Sequence, residues 1–156
     1  MSEDFGLVRW DAMKTAVAEC HSVDEITQIR NQAEAYRYAL KQAKESPEVI
    51  RKAEEIKLRA ERRAGELLKE TPREQGKRND TTLSQGDTKL NDVLIQNNIT
   101  RQTVSKWQKI ADIPEEKFEN FISVQNELST AGILNYKKTL NREKRIEETE
   151  TPQISG

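Results

Sequence analysis

The sequence predicts an all-α fold in which a long N-terminal helical hairpin or coiled coil is joined by a flexible linker to a C-terminal helix-turn-helix bundle. Apolar residues recur every three or four positions through most of the chain, which is the period of amphipathic helices, and no stretch alternates as a strand does. Residues 71–88 lose this periodicity and are rich in Pro, Gly, Asn, Asp, Ser and Thr, which is typical of a linker. We therefore predict a helical oligomerisation region at 1–70, a linker at 71–88, a helix-turn-helix domain at 89–145 and a disordered tail at 146–156.

The N-terminal region contains signals for three helices. The first is expected at 8–20, and a capping box at residues 22–25 (Ser-Val-Asp-Glu) starts the second, because its hydroxyl and carboxylate can satisfy free backbone amides. The second helix is expected to run to about residue 45, where Ser46-Pro47 is a strong restart signal. Thr71-Pro72 ends the third helix, because a residue before proline avoids the helical region.

The second and third helices are nearly equal in length, and each carries an apolar stripe at helical spacing, of heptad type in the second. An antiparallel hairpin is the preferred interpretation, and one long kinked helix is the alternative. Gly65 lies inside the third helix and is expected to allow close helix packing, as in a dimer. The residues expected to form the oligomerisation surface are Ile26, Ile29, Tyr36, Leu40, Ile56 and Leu67.

Residues 90–109 (LNDVLIQNNITRQTVSKWQK) carry the pattern of a helix-turn-helix. A short apolar helix runs into Asn98, a residue type that tolerates the positive φ of a tight turn. Ile99 is expected to enter the core, and Thr100 is a suitable N-cap for a second helix at 101–111. The residues expected on the inner side of that second helix are Val104, Trp107 and Ile110.

The outer face of the second helix carries side chains suited to a DNA major groove, where the first residues of a recognition helix meet the bases. Arg can fork onto guanine, Gln can pair with adenine, and Lys can contact phosphates as a point charge. Residues 71–113 hold seven basic and five acidic groups, a mild positive excess in a chain of net charge −1. A purely structural or protein-binding role is the alternative. The residues expected to contact double-stranded DNA are Thr100, Arg101, Gln102, Ser105, Lys106 and Lys109, with Arg73, Lys77 and Arg78 of the linker.

Other chemistry-bearing residues give weaker signals. The basic run at 59–63 (RAERR) is interpreted as a solvated helix face with i,i+4 ion pairs, and a phosphate grip is the alternative. Cys20 and His21 are the only Cys and His, and adjacent helical side chains point in different directions, so we predict no catalytic site and no metal site.

The remaining expectations concern cofactors and location. The chain has no Walker loop, no GxGxxG and no zinc signature, and we predict that it is not an enzyme and uses no cofactor. No apolar run is long enough for a membrane crossing, and a disulfide framework cannot form within one chain. We therefore expect a cytoplasmic protein without a membrane partner, associated with the nucleoid when it is bound to DNA.

Two segments resemble a group of small phage and mobile-element proteins: residues 56–68 (IKLRAERRAGELL) and residues 103–118 (TVSKWQKIADIPEEKF). The group is largely uncharacterised, and the resemblance implies a phage, prophage or plasmid origin without naming an activity. The second segment also resembles the DNA-reading part of ParB-type partition proteins and of phage repressors. This chain has Lys106 where the group often has Arg, which implies a point-charge contact in place of a forked one.

Two hypotheses follow for function. In the first, the chain is a homo-oligomeric DNA-binding protein, a transcriptional regulator or an element-maintenance factor, that reads double-stranded DNA with helix 101–111. In the second, it is a phage-encoded inhibitor that binds a host protein through its long amphipathic helices, with DNA binding secondary or absent.

Overall fold

The computed structural model describes residues 9–71 and 85–150, with side chains at 9–71 and 90–148. These residues form seven α-helices and no strand, so the all-α prediction is confirmed for the part of the chain described. None of these helices is both long enough and apolar enough for a membrane crossing. The helices are α1 (Trp10–Glu19), α2 (Val23–Gln42), α3 (Pro47–Glu70), α4 (Gln85–Gln96), α5 (Arg101–Ala111), α6 (Glu115–Val124) and α7 (Thr130–Glu150).

Helices α2 and α3 lie side by side and run antiparallel. Three ion pairs join them, and the residue number on α3 falls as the number on α2 rises. A Schellman motif ends α2: the backbone N–H of Glu45 donates to the carbonyl of Leu40, and Lys44 adopts a φ of 57°. Helix α3 then starts at Pro47, as the Ser-Pro signal predicted. The three pairs are Arg30–Glu61, Glu34–Lys57 and Arg37–Glu54.

Side-chain hydroxyls cap the N-termini of three helices. Ser22 accepts from the backbone N–H of Glu25 at 3.3 Å, which is the first half of the predicted capping box. Ser129 accepts from the backbone N–H of Gly132 at 3.0 Å and begins α7. Thr100 accepts from the backbone N–H of Thr103 and begins α5. Each hydroxyl satisfies one of the amides that a helix start leaves without an intrahelical partner.

Helix α3 is the centre of the packing. It contacts α1, α2 and α5, and one continuous core extends from Val17 to Ile133. Residues of the predicted N-terminal region and of the predicted helix-turn-helix domain therefore share a single core. A Cβ added at Gly65 would lie 2.1 Å from the carbonyl oxygen of Trp107, so the close packing expected at this glycine joins α3 to α5 of the same chain.

This packing buries the apolar stripes of α2 and α3. Ile26 and Leu40 are 0% exposed, and Ile56 and Leu67 are also buried. These four residues, predicted to meet a second chain, are instead enclosed within one chain, because α3 covers the α2 stripe and α2, α1 and α5 surround α3. The other two predicted oligomerisation residues are half-buried: Ile29 packs against the core, and Tyr36 makes an edge-to-face contact with Trp10.

Arginines of α3 bind the carbonyl groups at the C-terminal ends of other helices. Arg63 Nε donates to the carbonyl of Cys20 after α1, and Arg62 Nη2 donates to the carbonyl of Ile113 after α5, both at 2.9 Å. Arg51 bonds main-chain carbonyls at the end of α6. A cation is favourable at a helix C-terminus because unsatisfied carbonyls and the helix dipole both attract it.

The basic run at 59–63 is therefore used inside the protein. Arg59 forms a forked pair with Glu119 at 2.7 and 2.8 Å, and the guanidinium of Arg62 lies 5.0 Å from the ring centre of Phe118. These contacts support a structural role for the run, but it is not the solvated face that was predicted, because its three arginine side chains are only 14–21% exposed.

Two predicted boundaries require correction. Helix α4 begins at Gln85, inside the stretch predicted as linker, so the linker ends before 88. Helix α7 continues to Glu150, so residues 146–150 are helical where a disordered tail was predicted. Residues 141–148 are mostly good helix formers, and Lys144 and Glu148 are spaced for an i,i+4 pair, which explains how a charged segment extends a helix. Residues 151–156 lie outside the described part of the chain.

Candidate nucleic-acid interface

Helices α4 and α5, with the tight turn at residues 97–100 that joins them, make up the α4–α5 unit. The turn is a second Schellman motif, in which the N–H of Ile99 donates to the carbonyl of Leu94 at 2.9 Å. Asn98 takes a φ of 55°, as predicted for this position. Leu94 and Ile99 are both buried, which provides the apolar contact that accompanies such a turn. Thr100 then caps α5 by accepting from the N–H of Thr103 at 3.1 Å.

One side of α5 is held firmly against the body of the protein. Val104, Trp107 and Ile110 are buried, as the spacing predicted. The guanidinium of Arg30 lies 5.8 Å from the centre of the Trp107 ring and also pairs with Glu61. The direct approach of Gly65 to the α5 backbone completes this attachment, so the orientation of α5 is set by α3.

The opposite side of α5 is open to solvent. All six residues predicted there to contact DNA are exposed; the five within α5 lie on one face at helical spacing, and Thr100 is the N-cap that precedes them. The structure thus brings together Thr100, Arg101, Gln102, Ser105, Lys106 and Lys109. Arg73, Lys77 and Arg78 lie outside the described residues.

The charge of α5 suits an anionic ligand. The helix carries three cations, Arg101, Lys106 and Lys109, and no acidic residue. The acidic residue that follows it, Asp112, pairs with Lys69 and with Lys137. The hydrogen bond from Lys69 holds the pKa of Asp112 below its usual range, so this carboxylate is compensated at neutral pH.

Three further contacts position the unit; two were not predicted from the sequence, and for the third, at Gly65, close packing was predicted but its partner was not. Asn91 Oδ1, on α4, accepts from Arg101 Nη2 at 2.7 Å. Asn97 Nδ2, in the turn, donates to Asp24 Oδ1 at 2.8 Å and so ties the turn to the start of α2. The third is the Gly65 contact. Sequence signals report helix starts, turns and stripes, whereas each of these contacts depends on which elements meet in three dimensions.

The described residues offer no metal centre. No group of three or more His, Cys, Asp or Glu side chains within 9–71 and 90–148 is arranged to hold an ion. Cys20 is buried, and its Sγ contacts the carbonyl of Ser22 at 3.3 Å. The Nδ1 atom of His21 faces Arg63 Nη2 at 3.2 Å. The two side chains are therefore engaged with different partners.

A cleft of about 730 Å³ opens between the α5–α6 connection and the second half of α7. Charges of both signs line it, among them Lys117, Lys144 and Glu143. Apolar residues such as Ile113 and Leu140 share the lining with these charges, and the lining residues include no convergent set of catalytic groups.

Comparison with known proteins adds no assignment. No family model matches the sequence, and no significant match is found among curated proteins or solved structures.

Proposed function

We propose that this chain is a DNA-binding protein that reads double-stranded DNA with α5 in the major groove. The main support for this proposal is that five exposed polar side chains share the outer face of a capped helix that has three cations and no acidic residue. Within that face, Arg101 and Gln102 stand in the first turn, where a recognition helix meets base edges. Lys106 and Lys109 lie further along and suit phosphates.

We further propose that two copies act together on a repeated or palindromic site. One short recognition helix with three cations offers few contacts, and joining two such modules multiplies their affinity. In biological terms, we propose that the chain has a regulatory or maintenance role in a phage or other mobile element. Its support is the resemblance in residues 56–68 and 103–118.

The alternative, an inhibitor of a host protein that acts through long amphipathic helices, is less well supported. That hypothesis needs the apolar stripes of α2 and α3 on the surface, and the residues that carry them, such as Ile26 and Ile56, are buried. We therefore prefer the DNA-binding proposal, which uses side chains that are exposed.

The test is a binding titration of the full chain against duplexes selected from a random-sequence pool, measured by fluorescence anisotropy at several salt concentrations. We expect affinity to fall steeply with salt, because phosphate contacts release counterions. The variant Arg101→Ala with Gln102→Ala is expected to lose at least about tenfold in affinity, since a bidentate base contact is worth about 1–3 kcal/mol.

The matched control is Lys52→Ala with Gln42→Ala, which removes the same charge and the same amide from exposed positions on α3 and α2. This control is expected to bind as the wild type does. No duplex binding at low salt, or equal losses in the two double variants, would refute the proposal. Mass measurement of the complex gives the number of chains on each duplex, and one chain on a selected duplex would reject the paired arrangement.

A further inference from the structure

Asn91 is joined to the outer face of α5 by a contact that crosses the helix-turn-helix. Its Oδ1 accepts a hydrogen bond from Nη2 of Arg101 at 2.7 Å, and both residues are exposed. We propose that Asn91 is a positioning residue that orients the Arg101 guanidinium for a guanine and determines base preference at that position. This inference rests on the proposed function, since it assigns a task to a residue outside the recognition helix.

An exposed arginine side chain samples many rotamers, so ordering it on binding costs conformational entropy. The short bond to Asn91 Oδ1 on α4 restricts that freedom before the ligand arrives. Arg101 is the only arginine of α5 and therefore its only planar, forked donor, so its orientation matters more than that of the two lysines.

The chemistry of Asn91 fits this task. A guanidinium has five N–H donors, and the bond to Asn91 uses one, so enough remain for a fork onto the O6 and N7 atoms of guanine. An amide oxygen is a neutral acceptor and does not cancel the charge of Arg101. With Oδ1 engaged, Nδ2 of Asn91 can donate to a phosphate, since amides contact the DNA backbone in this way.

The test is a double-mutant cycle with Asn91→Ala, Arg101→Ala and the combined variant. The ligands are a duplex selected by the wild type and the same duplex altered at the base pair whose preference is lost in Arg101→Ala. We expect Asn91→Ala to reduce the ratio of affinities for the two duplexes about fivefold, which corresponds to the net contribution of one ordinary, solvent-exposed hydrogen bond. In the Arg101→Ala background, removing Asn91 is expected to leave that ratio unchanged.

Two further variants separate positioning from other effects. Asn91→Asp keeps an acceptor for Arg101 and is expected to restore the ratio, while it weakens binding to both duplexes alike because its charge repels phosphates. Gln96→Ala removes another exposed amide from α4 and is expected to change nothing. Circular dichroism and thermal unfolding verify that each variant folds.

The outcomes are distinguishable. If Asn91→Ala leaves the ratio as in the wild type, or lowers it equally with and without Arg101, the inference is overturned and the DNA-binding proposal stands. If the wild type binds no duplex, both fall together.

Discussion

Gly65 of α3 lies directly against the main-chain carbonyl of Trp107 in α5, at a distance that leaves no space for a methyl group. The neighbouring atoms are backbone, which cannot rotate away as a side chain can. This contact joins two helices that are separated by the whole of residues 71–100 in sequence, and it sets the position of the candidate recognition helix.

The first prediction concerns this contact. Gly65→Ala is expected to destabilise the protein by about 2 kcal/mol or more, because forcing an extra methyl group into a packed site displaces backbone. The intrinsic preference of a helix for Ala over Gly, about 1 kcal/mol, acts in the opposite direction and is outweighed. Urea denaturation followed by circular dichroism measures the free energy of unfolding.

The matched control is Gly132→Ala in α7, where the added Cβ would meet the Ser129 hydroxyl at 3.0 Å. That group is the end of a small side chain, so the variant is expected to stay within about 1 kcal/mol of the wild type. Equal effects of the two substitutions would show that the approach of α3 to α5 is not a tight one.

The second prediction concerns Glu61, which is 1% exposed and joins three elements. It pairs with Arg30 at 2.9 Å and with Lys57 at 3.7 Å, and it accepts from the Thr130 hydroxyl at 2.6 Å. Glu61→Ala is expected to cost about 3–5 kcal/mol, since it breaks a buried pair and removes the acceptor of Arg30 Nε and of the Thr130 hydroxyl.

The comparison variant is Glu66→Ala on the same helix. Glu66 pairs with Arg62 and Arg63 at a position 31% exposed to solvent, and pairs of that kind are worth about 1 kcal/mol or less. Thermal and urea unfolding of both variants give the two values. A Glu61→Ala loss no larger than that of Glu66→Ala would contradict the role of Glu61 as the link between α2, α3 and α7.

The third prediction is a pH dependence at the Arg59–Glu119 pair. The hydrogen bonds from Arg59 hold the pKa of Glu119 below its usual range. A carboxylate whose pKa is lowered by folding stabilises the protein above its unfolded pKa, and that stabilisation is lost as pH falls through the folded value. Because the pair is partly exposed, we expect it to contribute less than about 1 kcal/mol.

Glu119→Gln is therefore expected to be slightly less stable than the wild type at pH 7 and to approach it as pH falls below about 4, the ordinary pKa of glutamate. Unfolding titrations across this range give the difference in free energy at each pH. A difference in unfolding free energy that grows as pH falls would contradict the prediction.

The fourth prediction uses the turn between α2 and α3. Lys44 adopts a φ of 57° at the Schellman position, where glycine is favoured. Lys44→Gly is expected to stabilise the protein by up to about 1 kcal/mol, because glycine reaches this conformation without a Cβ clash. The control Lys41→Gly, within the last turn of α2, is expected to destabilise by about 1 kcal/mol. Calorimetry measures both shifts, and a loss of stability in Lys44→Gly would contradict the prediction.

Local chemistry made much of the helical layout predictable. Some residues act only on the backbone next to them: Pro47 has a fixed φ, Thr100 offers a hydroxyl acceptor, and Asn98 tolerates positive φ. The structure has a helix start or a turn at each of these positions. The bounds of α3 and α5 agree with the predicted ones for the same reason.

Long-range packing was less predictable. The stripe through Ile26 and Leu40 shows that α2 needs an apolar partner, but it does not show whether that partner belongs to the same chain or to another. The need for space at Gly65 was visible in the sequence, whereas its neighbour, Trp107, lies 42 positions away across a segment without periodicity. The Asn91–Arg101 bond likewise depends on the angle between two helices, which no spacing encodes.

The seating of α5 on α3 has a consequence for geometry on DNA. A helix whose backbone abuts a 24-residue helix has no hinge on that side, so in the proposed complex a duplex bound by α5 would lie at a fixed angle to the axis of α3. Two such chains could bind one duplex together only where the twist of the double helix presents both sites at compatible angles around its axis. The number of base pairs between paired sites would then be restricted to a few values within each helical repeat.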